Sequence, residues 1–140
     1  MPAGYSGTPL VKKLGIVGGS NVAVLNMPDD YESLLGELPE AVCLGAQLGK
    51  ATTLVHVFAT ERQLLQAQLQ SLRAQQLDTV PVWVSWPKKA AKVQTDITED
   101  AIRELALPLG YVDVKVCAVS GVWSGLKLVV RKELRTRRLR

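Results

Sequence analysis

The chain is predicted to form one three-layer α/β domain: a mostly parallel sheet of about six strands, closed by a C-terminal antiparallel hairpin strand. Three observations predict this. Short apolar runs such as Val22-Ala23-Val24-Leu25 and Leu54-Val55-His56-Val57-Phe58 read as buried parallel strands. Helical segments with capping residues separate them. Near the end, two strand-like runs flank the turn Ser120-Gly121-Val122-Trp123-Ser124-Gly125.

The elements follow in order. Thr8 and Pro9 suit the N-cap and first position of a short helix, and Gly15 suits its end. Gly18-Gly19-Ser20 is a turn, and Val22–Leu25 is the first strand. Asp29 with Glu32 resembles a capping box for a helix over residues 31–38. Val42-Cys43-Leu44 and residues 53–58 are the second and third strands. Thr60 with Gln63 forms a second capping box, and Leu65, Leu69 and Leu72 give the helix that follows one apolar stripe. Its opposite face is rich in Gln. Residues 80–86 are the fourth strand, with Pro81 near its start, where a missing N–H is tolerated. Thr98 caps the next helix, with Ile97 and Ile102 as a hydrophobic staple and Gly110 as its end. Residues 112–119 and 126–130 are the hairpin strands.

The chain has 140 residues, 47% apolar and 21% charged, which supports one core. The expected domain covers 1–130, and 131–140 is a basic C-terminal tail expected to be flexible. The formal charge of +4 belongs to that tail. Arg131, Lys132, Arg135, Arg137, Arg138 and Arg140 stand there against Glu133 alone, so the body is nearly neutral. Such a tail is a candidate for nucleic-acid association. No apolar run reaches the 18 residues of a membrane span, and no secretory signal is visible, so a cytoplasmic protein is expected.

Cys43 and Cys117 lie in apolar runs and are expected as buried thiols. They are placed on opposite edge strands, too far apart for a disulfide. His56, the only histidine, is expected as a satisfied core residue, and no metal-ligand spacing is present.

Several motifs together carry a resemblance: Gly4-Tyr5-Ser6-Gly7-Thr8-Pro9-Leu10, Lys12-Lys13-Leu14-Gly15-Ile16, Val84-Ser85-Trp86-Pro87-Lys88-Lys89, Thr95-Asp96-Ile97-Thr98-Glu99, Val112–Val119, and Trp123-Ser124-Gly125-Leu126-Lys127. The chain resembles a bacterial family called domain of unknown function 3052, over nearly all its length except the arginine-rich end. The family brings no activity to carry over. The layout is also similar to a shortened class I methyltransferase fold, a Rossmann-like architecture. That analogy implies the sheet order second, first, third, fourth, sixth, fifth.

Such folds hold a nucleotide on a glycine-rich turn after the first strand. Here that turn reads Asn26-Met27-Pro28-Asp29-Asp30, without glycine and with two carboxylates. Gly45-Ala46-Gln47 stands where an acidic residue would hold ribose hydroxyls. Neither S-adenosylmethionine nor a dinucleotide is expected in the usual mode, and no cofactor is assigned.

A different site is expected where the fourth strand ends and the sixth begins. Trp86 and Trp123 are expected to stand near each other there, with Ser85, Lys88, Lys89, Ser124 and Lys127 close by and Tyr5 and Ser6 folding over them. Aromatic walls and ammonium groups suit a small anionic or planar ligand, or a protein partner. Lys92 follows on the same loop, and Asp96 is a candidate ion-pair partner for these lysines. Ser85 and Ser124 have no base beside them in the sequence, which disfavours nucleophilic catalysis. The leading expectation is a non-catalytic ligand-binding or interaction module. The alternatives are a divergent transferase acting on an anionic substrate, and nucleic-acid association through the tail.

Overall fold

The computed structural model describes residues 8–75 and 77–135. Six strands form one sheet: β1 (Asn21–Leu25), β2 (Cys43–Gly45), β3 (Leu54–Phe58), β4 (Val82–Pro87), β5 (Tyr111–Ala118) and β6 (Trp123–Val130). Their order is β2-β1-β3-β4-β6-β5. β1–β4 are parallel to their sheet neighbours in that group, and β6 runs antiparallel to both β4 and β5. The expected Rossmann-like α/β architecture and its strand order are both present. β2 connects to β3 without a helix.

Strand periodicity divides the core in two. Val55, Val57, Val82, Val84, Leu126 and Leu128 face α3 (Arg62–Ala74) and α4 (Glu99–Ala106). The alternate positions Leu54, Phe58 and Trp83 face α1 (Leu10–Leu14) and α2 (Tyr31–Leu35). Leu65, Leu69 and Leu72 form the buried stripe of α3. Each such burial stabilises by roughly 1.5–3 kcal/mol. Thr98 Oγ1 accepts from Ala101 N at 3.0 Å, and Ile97 and Ile102 are both buried, so α4 begins as expected. It continues as a 3-10 turn over Leu107–Leu109, ended by left-handed Gly110.

The other helix starts differ from the sequence reading. The Pro9 carbonyl accepts from Lys12 N and Lys13 N, which makes Pro9, not Thr8, the N-cap of α1. α2 has no side-chain cap and stops at Gly36 (φ 77°) instead of residue 38. Glu61, not Thr60, precedes α3, and its side chain forms no cap. The Thr60 carbonyl is instead bonded by Thr95 Oγ1 and Asp96 N, which holds that turn against a distant loop. β6 begins at Trp123, because Pro87 and Trp86 of β4 extend the ladder to Trp123 and Ser124.

Cys43 is exposed, against expectation, because β2 is a three-residue edge strand covered by little. Cys117 is half-buried on β5, at the opposite edge of the sheet. Part of the expected flexible tail is anchored. Arg131 N donates to Gly110 O, Arg135 Nε donates to Val130 O, and a 3-10 turn spans Lys132–Leu134. Arg137, Arg138 and Arg140 lie outside the described residues.

Candidate functional site

In this topology a ligand crevice belongs at the carboxyl ends of β1 and β3, where the connections diverge to opposite sides of the sheet. Asn26 spans that crevice. It adopts a left-handed backbone (φ 59°), and its Nδ2 donates to Phe58 O at 2.9 Å and to Gln68 Oε1 at 3.4 Å. One side chain thus ties the β1 turn to the end of β3 and to α3. Asp29 and Asp30 are exposed on the same turn, and the Pro28 carbonyl accepts from Tyr31 N. A phosphate here would meet carboxylates and an amide already in use.

The expected tryptophan site is not assembled. The ends of β4 and β6 do share one edge of the sheet, with Trp86 opposite Ser124 and Pro87 opposite Trp123. Because facing residues share a face and successive residues alternate, Trp86 and Trp123 point to opposite sides. Trp86 is buried in the core beneath α3 and α4, whereas Trp123 packs edge-on against Phe58 on the other side, at 4.9 Å between ring centroids. Lys127 lies opposite Trp83, four residues from Pro87 and so about 13 Å along the strand. It stands apart from Lys88 and Lys89. Lys88 is half-buried, with its backbone N bonded to Val122 O, and exposed Lys89 opens a 3-10 turn. Tyr5 and Ser6 lie outside the described residues.

Ser85 does have an imidazole beside it. His56 Nε2 is 2.7 Å from Ser85 Oγ, and His56 Nδ1 is 2.9 Å from the Tyr31 hydroxyl. Parallel pairing of β3 with β4 makes this contact, since Ser85 pairs with Phe58, two residues beyond His56. The geometry is that of a nucleophile, a base and an orienting group. All three residues are 0% exposed, however, so no substrate reaches them. Burial lowers the His56 pKa to about 3 and raises that of Tyr31 above its ordinary value. The trio is neutral, and it joins α2, β3 and β4 through the core. A polar residue at an inward position on each of two neighbouring strands is the sequence signal for it.

One strand further along, a polar cavity of about 510 Å³ opens at the carboxyl edge. Thr60, Glu61, Gln63, Gln94, Thr95 and Asp96 line it. Its walls are latched together. Asp96 Oδ1 accepts from Arg62 N at 2.7 Å, which gives the start of α3 the carboxylate that Thr60 was expected to replace with a hydroxyl. Arg62 Nε donates to Asp96 O, and Thr95 Oγ1 donates to Thr60 O at 2.7 Å. The carboxylate of Asp96 therefore serves α3, not the lysines it was expected to pair. Sequence reasoning missed this cavity because its two walls lie more than 30 residues apart.

A larger, mainly apolar cavity of about 700 Å³ lies between α1, the turn before β1 and the end of α2. That is the amino end of the strands. Among the described residues no group of three His, Cys, Asp or Glu side chains could hold a metal, and no helix is long and apolar enough to cross a membrane.

No protein-family model matches the chain, and no curated protein matches it. Among solved structures, the chain is similar to a protein of the NADB-Rossmann superfamily from Streptococcus agalactiae. The TM-score is 0.53 at 10% identity, over 93% of this chain and 70% of that one. An identity this low carries the Rossmann-like fold and nothing of the neighbour's chemistry.

Proposed function

We propose that this protein is a cytoplasmic, non-catalytic binding module on a degenerate methyltransferase-like scaffold, related to the bacterial family called domain of unknown function 3052. The single observation that carries the reading is Asn26, whose amide bridges β1, β3 and α3 across the place where the fold would hold a nucleotide. The ligand position moves one strand over, to the cavity between Thr60 and Asp96. Hydroxyls, amides and the Glu61 carboxylate suit a small polar ligand rich in hydrogen-bond donors. An anionic group on that ligand would draw on Lys88, Lys89 or Lys92, which stand on the same connection. The Ser85–His56 pair that a transferase would draw on is fully buried.

A thermal-shift screen with nucleosides, amino acids, amines and polyols tests this reading. At least one class is expected to raise the melting temperature saturably. That shift should vanish in a Gln63→Ala, Gln94→Ala double variant, whose changes lie outside the latch. A saturable ligand indifferent to both substitutions would remove the cavity from the account.

A further inference from the structure

The face of the β5–β6 hairpin turned toward α1 carries a like-charge pair in register. Lys115 of β5 pairs with Lys127 of β6, immediately after a bulge that leaves Val114 unpaired. Leu126 and Leu128, on either side of Lys127, are buried against α3 and α4, so both lysines belong to the other face. Like charges paired across two strands destabilise a sheet. Neither lysine has a hydrogen-bond or ion-pair partner among the described residues, which include every Asp and Glu of the chain. A third cation joins them: Lys13 of α1 donates from Nζ to Ala118 O at 3.3 Å, next to Cys117 on β5. At the far end of the same face stands Trp123, half-buried, with its ring held on edge by Phe58. Between Trp123 and Lys127 on that face lies buried Gly125, covered by the Val119, Trp83 and Cys117 side chains, so the ring and the lysines flank a small apolar patch.

We propose that this face binds single-stranded nucleic acid, with Lys13, Lys115 and Lys127 on successive phosphates and Trp123 stacking on a base. A cationic track beside an aromatic platform is what such a strand recognises without regard to sequence. Phosphates would supply the counter-charge that the chain withholds from the facing lysines. The ring also separates this partner from an anionic membrane, which offers nothing to stack upon. The surface is independent of the polar cavity and of the arginines at the end of the chain.

Fluorescence anisotropy with labelled oligo(dT) and oligo(U), titrated between 50 and 200 mM salt, tests the proposal. Three phosphate contacts give a log–log salt slope of about −2, a weakening of roughly 20-fold over that range. The Lys115→Ala, Lys127→Ala double variant is expected to bind at least tenfold more weakly at 50 mM salt. Its slope should fall to about −0.7, and its melting temperature should be unchanged or higher. Oligonucleotide binding should also quench tryptophan fluorescence in the wild type, and much less in Trp123→Phe. An Arg137→Gln, Arg138→Gln, Arg140→Gln variant should bind as the wild type does. The proposal is overturned by no binding at 50 mM salt, or by binding that survives loss of both lysines. It is equally overturned by binding lost with the three arginines, or by binding to phosphatidylserine vesicles without binding to oligonucleotides.

Discussion

Acidification from pH 7 to pH 4 is expected to destabilise the protein through His56, by up to about 1.4 kcal/mol per pH unit. In the unfolded chain this imidazole takes up a proton near 6.5, whereas burial in the fold delays protonation to about 3. Between those values the unfolded state binds more protons than the folded one. The contribution is therefore complete above 6.5 and is lost as the pH falls toward 3. The control must remove the imidazole and keep the fold. Replacing the whole trio, with His56→Leu, Tyr31→Phe and Ser85→Ala, removes every hydrogen-bonding group together and is expected to be tolerated. His56→Leu alone strands two buried hydroxyls and should cost about 2–6 kcal/mol. Urea unfolding at a series of pH values reads both effects. A triple variant as acid-sensitive as the wild type would show that the imidazole is not the source.

Trp83→Ala is expected to cost about 3–5 kcal/mol, the range for deleting a large buried aromatic side chain. Trp83 is 0% exposed at the centre of β4, facing α1 and α2. Its indole Nε1 also donates to the Leu14 carbonyl at 3.0 Å, so one side chain both fills the core and satisfies the end of α1. Losing that partner buries an unpaired carbonyl and adds a further cost of about 1–3 kcal/mol. Against a typical total stability of about 5–15 kcal/mol, the variant stands near the edge of folding. Trp83→Phe keeps much of the volume and loses the donor, and its cost should fall between the two. Equilibrium denaturation separates these variants. A loss below about 1 kcal/mol for Trp83→Ala would mean that α1 does not depend on this anchor.

The sheet was legible in the sequence because β1–β4 coincide with short apolar runs and β5 and β6 with alternating runs on either side of a turn. The order β2-β1-β3-β4-β6-β5 followed from analogy of layout. Thr98, Gly15 and Gly110 announced their roles because capping is local. What was not legible depends on register or on distant loops. A shift of one residue reverses the face of every side chain on a strand. Two tryptophans at neighbouring strand ends can therefore share an edge and still be separated by the sheet. The same parity brings Ser85 to His56, though nothing near Ser85 in the sequence foretells it. Thr60 and Gln63 spell a capping box, yet Asp96, 34 residues beyond Arg62, supplies the cap. Tertiary contact overrode a sound local signal there, and it built the polar cavity in doing so.

In the reading proposed above, Asn26 closes the crevice at the carboxyl ends of β1 and β3 to a nucleotide. Isothermal titration of the wild-type protein with S-adenosylmethionine and with NAD tests this closure. No saturable heat is expected from either compound at millimolar concentration, since Asn26 bridges the crevice and two exposed carboxylates, Asp29 and Asp30, follow it on the same turn. Micromolar binding of either compound, weakened by a change at Asp29 or Asp30, would show the crevice to be open.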